Sequence, residues 1–315
     1  MTIDIYLADP DIHPMVLESL RAADLNLCDS PSGVSALVTQ DRDVDEPLFE
    51  AAGDPLQAVF LLEPGSAKIV NAPVPVHSIG NSALLGVAEH TVLLMLALAK
   101  RVPWILEKTT KQEWLPDRSK PILTNQKDYT YNWVGLEDFG MLGGRTVGLV
   151  GLGYIAKATA KILMGFSAHV IYYKPNRLPS TEEAELGVLW RKLDVLLEQS
   201  DYVSLHHRFF EGPDGNDKQF GSDEFQRMKP TAFFINTARG RMVDEDALAE
   251  AIRSGRIAGA ALDVFRYEPL PDDHPFFGLP AEKMILTPHL GGVPMKDAAE
   301  AVAREIVETL DSLRH

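Results

Sequence analysis

Three observations predict an α/β protein built on parallel sheets. The stretch Thr146 to Lys174, TVGLVGLGYIAKATAKILMGFSAHVIYYK, reads as strand, glycine turn, helix and strand. Before it, residues 3–62 alternate short apolar runs with helical stripes, as a small parallel α/β domain does. After it the alternation resumes, and the later strands are apolar on both faces, like parallel strands covered by helices. A chain of 315 residues has room for two such domains.

In chain order, strands are expected at Ile3 to Ala8, Leu25 to Cys28, Ala36 to Thr39 and Ala58 to Leu62. Helices are expected at Asp11 to Ala22 and Asp45 to Ala52. Pro64, Gly65 and Ser66 then turn the chain just past a strand end, where open α/β sheets present ligands. Val87 to Lys100 predicts a helix apolar nearly all round, a pattern of a deep core or a subunit contact, and we expect a homodimer through it. Lys111 to Phe139 has no period but carries Trp114, Tyr129, Tyr131, Trp133 and Phe139. A loop of that length either covers a functional site or is ordered by its own aromatics. Beyond the glycine unit, Leu189 to Leu197 reads as a helix, Tyr202 to Leu205 as a strand and Asp223 to Met228 as a short helix. Strands at Thr231 to Asn236, Ile257 to Asp263 and Met284 to Thr287 follow, with helices at Asp244 to Ser254 and Pro294 to Leu313.

The glycine turn predicts a cofactor. Gly151, Gly153 and Ala156 stand in G-x-G-x-x-A spacing between strand and helix. Gly151 permits the tight turn, Gly153 lets the backbone approach a pyrophosphate, and Ala156 lets helix and strand pack closely. Tyr154 and Ile155 open the helix, whose free N–H groups and dipole attract phosphate. Past the second strand, where a diphosphate nucleotide site wants an acid for the ribose, stand Lys174, Asn176 and Arg177. Arginine can fork onto phosphate oxygens and lysine can act as a point charge, so these residues predict NADP(H), with NAD(H) the alternative.

A net charge of −15 argues against nonspecific binding to nucleic acid or anionic membrane, so an anionic substrate must be drawn by a local cationic site. The lone Cys28 excludes an intrachain disulfide and a cysteine metal cage, which fits a reducing, cytoplasmic setting. No signal-peptide pattern, membrane-length apolar run or metal motif is evident.

Polar groups follow three of the later strands: Arg239 in INTARGRMVDE, Glu268 in ALDVFRYEPL and His289 in ILTPHLGG. They supply a cation for a carboxylate and a polarised carbonyl, an acid to orient a ring, and a proton carrier. Taken singly, each has an ordinary structural explanation, and spacing alone does not make them converge.

With GLVGLGYIA, VAEHTVLLMLALAKR, MKPTAFFINTARGRMVDEDAL and SGRIAGAALDVF, these motifs resemble the D-isomer-specific 2-hydroxyacid dehydrogenase family, most strongly from Leu142 onward. The resemblance implies two Rossmann-like domains, a dinucleotide-binding domain (102–293) inserted into a flavodoxin-like substrate domain (1–101 and 294–315), with a cleft between them. It implies interconversion of a 2-oxoacid and a D-2-hydroxyacid, with Arg239, Glu268 and His289 as the catalytic set. His206 and Thr237 would lie along the cofactor, and Asp263 would hold the nicotinamide carboxamide. Dimers of the family pair through the segment that Val87 to Arg101 resembles.

The departures concern substrate and cofactor. The family typically carries an acid where Lys174 stands, and members with basic residues there use NADP(H). LLEPGSAKIV replaces a segment whose backbone N–H groups hold the substrate carboxylate; Pro64 has none to give, leaving Gly65 and Ser66 as donors. Arg208 stands where proline is usual, the Phe209 to Gly221 loop is atypical, and Lys111 to Phe139 is long. An apolar or aromatic 2-oxoacid enclosed by Trp133 or Tyr131 is the expectation. The same fold also serves relatives that oxidise formate or phosphite and a nucleotide-sensing corepressor. Glu268 stands where the formate-oxidising relatives carry glutamine, and the corepressor would bind dinucleotide with little turnover.

Overall fold

A computed structural model describes the chain apart from residues 1–2, 10–11, 41, 63–66, 80, 214, 293–295 and 314–315, and apart from the side chains of 81–84. It divides into two compact units, Met1–Val87 with Gly292–His315, and Ala88–Gly291.

The first unit contains β1 (Ile3–Leu7), α1 (Pro14–Ala22), β2 (Leu25–Cys28), β3 (Ala36–Thr39), α2 (Glu46–Ala52), β4 (Ala58–Leu61) and β5 (Val76–Ser78). Its strands form a parallel sheet in the order β2-β1-β3-β4-β5, the flavodoxin-like order. Pro14 at the first helical position starts α1, and the His13 ring accepts from the Met15 N–H. β5 is too short and too exposed to carry a sequence signal.

The second unit is entered through α3 (Asn81–Ala99) and α4 (Val102–Thr110). The division falls inside α3 rather than after residue 101, because Val92, Leu94, Met95 and Leu98 pack into this unit's core beside Leu149 and Ala160. Next come β6 (Thr146–Val150), α5 (Tyr154–Gly165), β7 (His169–Tyr173), α6 (Ser180–Leu186), β8 (Val188–Trp190) and α7 (Leu193–Gln199). The unit continues with β9 (Tyr202–Leu205), α8 (Ser222–Arg227), β10 (Phe233–Asn236), α9 (Glu245–Arg253), β11 (Gly259–Leu262) and β12 (Met284–Leu286). The seven strands are parallel in the order β12-β11-β10-β9-β6-β7-β8, the Rossmann order with one strand added at the far edge. The closing helix α10 (Lys296–Leu313) belongs to the first unit, where Val302, Ile306 and Leu310 share a core with Leu20 of α1.

One stretch differs from expectation. Leu189 to Leu197 is not one helix: Val188–Trp190 pairs with β7 as an edge strand and the helix begins at Leu193. Val188, Leu189, Leu193, Leu196 and Leu197 happen to fall at helical spacing, which hid the break. Lys111 to Phe139 contains only the short 3₁₀ turn Pro116–Arg118, held by its own contacts. Leu115 N–H donates to the Trp133 carbonyl at 2.9 Å, and Trp114 meets Trp133 edge-on at 4.4 Å. Among the described residues, no helix is long and apolar enough to cross a membrane.

Register positions the site. Val150 lies opposite Tyr173 and Leu205, Leu205 opposite Asn236, Asn236 opposite Leu262, and Leu262 opposite Leu286. The residues immediately after these, Lys174, Gly151, His206, Thr237, Asp263 and Thr287, therefore line up along the carboxyl edge of one sheet. That edge is where doubly wound sheets bind ligands.

Candidate active site

The turn after β6 is shaped for close approach. Gly151 has φ +94°, and a Cβ there would sit 2.7 Å from the His207 backbone nitrogen, so no larger residue fits. Gly153 faces open space: a Cβ would meet nothing within 4 Å. It caps α5 with no side-chain hydrogen bond, and the first turn, opened by the exposed Tyr154 and by Ile155, holds no acid. Ala156 is fully buried. An open cradle, unclaimed N–H donors and a positive helix end fit a pyrophosphate.

Beyond β7, the basic residues divide. Lys174 and Asn176 have no polar side-chain partner among the described residues, whereas Arg177 is already forked onto Glu183, Nε–Oε1 2.9 Å and Nη2–Oε2 2.6 Å. The same carboxylate accepts from the Tyr172 hydroxyl at 2.7 Å. The Arg177 hydrogen bond outweighs desolvation and, with Tyr172, holds the Glu183 carboxyl down at about 2. Burial and that hydrogen bond push the Tyr172 hydroxyl up to about 12. Arg177 keeps three of its five N–H donors for another anion.

Arg239, Glu268 and His289 converge. All three line one pocket of about 300 Å³, with Phe209, Arg241 and Arg266 on its other walls. His289 Nδ1 lies 2.7 Å from Glu268 Oε2, and the Phe265 N–H donates to Glu268 Oε1 at 2.9 Å. A carboxylate only accepts, so Nδ1 carries the hydrogen and Nε2 is left for a substrate. His289 has φ +55°, an uncommon backbone state for a non-glycine residue and one often found at functional sites. Arg239 follows β10 in extended conformation. Asn236, fully buried, clamps that turn by donating to the Arg239 carbonyl at 3.0 Å and accepting from Ala238 N–H at 3.0 Å. Gly240 is pressed so hard against the Phe265 backbone that a Cβ would overlap it, at 1.9 Å.

The other expected cofactor contacts sit at the sheet edge with partners of their own. Asp263 is 1% exposed, and its carboxylate accepts from Thr287 Oγ1, Leu290 N–H and Gly291 N–H. Burial opposes its charge, but hydrogen bonds from His90, Thr287 and the two amides outweigh it and hold the carboxyl below its ordinary value. It thus ties down the loop that carries His289. Thr237 is buried against Thr91, oxygen to oxygen 2.8 Å. Burial first, and then the neighbouring His207, lowers His206 to about 3, so its ring is neutral at physiological pH. Trp133 does not line the pocket; it packs on Trp114. Gly65 and Ser66 lie outside the described residues. Sequence reasoning missed Asn236, His90 and Thr287, which act only through others. It also missed Phe209 and Arg241, which only the folded loop brings to the pocket.

Residues 92–291 match the model of the D-isomer specific 2-hydroxyacid dehydrogenase NAD binding domain. The chain belongs to that family. A glyoxylate reductase of Thermofilum pendens is 37% identical over 227 residues, which are 71% of this chain and 61% of that protein. The match thus spans less than two thirds of that relative. The NAD-complexed D-isomer specific 2-hydroxyacid dehydrogenase of Lactobacillus delbrueckii subspecies bulgaricus superposes with TM-score 0.65 at 20% identity, covering 100% of this chain and 97% of that one. A family member from Xanthobacter autotrophicus Py2, in complex with NADPH and MES, gives TM-score 0.65 at 22% identity over 99% of this chain and 95% of that one. At these identities the two structures show the shared fold.

Proposed function

We propose that the chain is an NADP(H)-dependent oxidoreductase interconverting a 2-oxoacid and a D-2-hydroxyacid. The observation that carries this reading is the Glu268–His289 pair facing the same pocket as Arg239, with His289 Nε2 unclaimed among the described residues. Gly151, Gly153 and the Tyr154–Ile155 amides would hold the cofactor pyrophosphate, and the bound nicotinamide supplies the redox equivalent. The chain's own residues do the rest. Arg239 binds the substrate carboxylate and draws charge from the carbonyl oxygen. His289 Nε2 gives a proton to that oxygen in reduction and takes it back in oxidation. Glu268 fixes the ring and balances its charge when both nitrogens are protonated.

Lys174, Asn176 and the free N–H groups of Arg177 support a 2′-phosphate, and no acid at Lys174 opposes it. The test is consumption of NADPH and NADH with glyoxylate, hydroxypyruvate and pyruvate. Turnover with NADPH at least about tenfold more efficient than with NADH is expected, and Lys174→Asp should reverse the order. Preference for NADH in the unaltered chain would sink the cofactor reading, and no turnover with either would sink the reaction.

A homodimer is part of the same proposal. Leu93 of α3 and Leu106 of α4 are 57% and 59% exposed, apolar surface that a subunit contact would cover. Light scattering at micromolar concentration should give twice the chain mass of 34.7 kDa; a monomer mass would end it.

A further inference from the structure

We infer that the catalytic pocket contains a second anion subsite, made by Arg241 and Arg266, and that the substrate is a 2-oxoacid bearing a second acidic group. This rests on the oxidoreductase reading above and names its substrate class. Three guanidinium groups line the pocket, Arg239, Arg241 and Arg266, in a chain whose net charge is −15. The single carboxylate among the lining residues, Glu268, is spent on His289 and the Phe265 amide. One arginine suffices for the carboxylate that every 2-oxoacid carries. The other two are balanced by Asp217 and Glu211, neither of which is among the described residues that line the pocket.

Their geometry is that of cations held for a ligand. Asp217 accepts from both Arg266 Nη atoms at 3.0 and 3.3 Å and lies 3.4 Å from Arg241 Nε, so one acid orients two guanidinium planes. Arg241 is stacked on the Phe209 ring at 4.4 Å, which fixes its plane and shields one face from water. The tip, Nη1, is paired with Glu211, whose side chain is 75% exposed on the loop after β9. An exposed pair of this kind contributes little, because water screens it. A carboxylate or phosphate in the pocket that forked onto Arg241 would make stronger, charge-assisted bonds. On this proposal Glu211 is the exposed acid that the ligand displaces from Arg241. Asp217 acts as the permanent counterion. The Phe209 to Gly221 loop provides Phe209, Glu211 and Asp217 together.

The experiment compares kcat/KM for 2-oxobutyrate, oxaloacetate and 3-phosphohydroxypyruvate in the unaltered enzyme, Arg241→Gln and Arg241→Lys. The unaltered enzyme should favour at least one diacid over 2-oxobutyrate by roughly thirtyfold, and the better of the two identifies the second group as carboxylate or phosphate. Arg241→Gln should erase that preference, lowering kcat/KM for the diacid roughly thirtyfold more than for 2-oxobutyrate, and Arg241→Lys should recover part of it. If 2-oxobutyrate is the better substrate, or if Arg241→Gln lowers all three equally, Arg241 only braces the loop. The subsite is then refuted and the redox function stands. If none of the three is turned over, the functional reading fails and takes the subsite with it.

Discussion

His289 and His274 each face a glutamate in the same domain, His289 through Nδ1 at 2.7 Å from Glu268 and His274 through Nε2 at 3.1 Å from Glu245. As chemistry the pairs are interchangeable. They differ in what is left over. The side chains of His274 and Glu245 are 7% and 9% exposed. His274 Nδ1 accepts from the Phe276 N–H at 3.5 Å, and Glu245 Oε1 accepts from the Arg266 N–H at 2.9 Å. Every polar atom of that pair is spent, so it can stabilise but has no proton to trade. His289 and Glu268 are 46% and 36% exposed, and His289 Nε2 has no protein partner among the described residues. A histidine–glutamate pair becomes chemical machinery when one nitrogen is left unfinished next to a pocket.

The comparison breaks if the two pairs respond alike to mutation. His289→Ala should lower kcat by roughly 10²–10⁴-fold with little change in thermal midpoint. Glu245→Ala should do the reverse, costing roughly 3 kcal/mol of stability by leaving His274 and the Arg266 amide unpaired, with kcat within about threefold. Kinetics paired with thermal unfolding on both variants decides it; a large kcat loss in Glu245→Ala at temperatures where it is folded would erase the distinction.

A third carboxylate sharpens the contrast by a smaller effect. Glu183, paired with Arg177 and Tyr172, titrates at about 2, below the ordinary glutamate value of 4.5. A carboxyl lowered on folding stabilises the native state above its unfolded pKa, and that contribution is lost as pH falls through the folded value. The thermal midpoint of Glu183→Gln should therefore lie a few degrees below that of the unaltered chain at pH 6. The gap should close between about pH 4.5 and pH 2. A gap independent of pH would assign Glu183 to packing rather than charge.

How much of this was legible in sequence depends on whether a residue's role is local. Gly151, Gly153 and Ala156 follow from a strand–turn–helix pattern within a few residues, and the structure gives each the space expected of it. Tyr202 to Leu205 is a short, mostly apolar run bounded by polar residues, and its ends were found to the residue. The convergence of Arg239, Glu268 and His289 was not local: it depends on strands pairing in a particular order, which only a family resemblance supplied. Asn236 and Asp263 look like ordinary polar residues after apolar runs, because many of their partners are backbone groups that no side-chain pattern marks. Val188–Trp190 was misread because three residues are too few to show a period against the helix that follows. Trp133 was drawn to the site by its residue type; in the structure it packs on Trp114 and stays 40% exposed.

The Asp263 carboxylate has a consequence for motion. It collects the amides of Leu290 and Gly291, the two that come immediately after His289, although the Leu290 side chain is 51% exposed. A wet loop ordinarily exchanges its amide hydrogens within its own local fluctuations. These two can exchange only when a buried charge at the end of β11 is stripped of its donors, so their protection should track the opening of the sheet. The proton carrier is thereby timed by the core beneath it and not by the surface on which it sits.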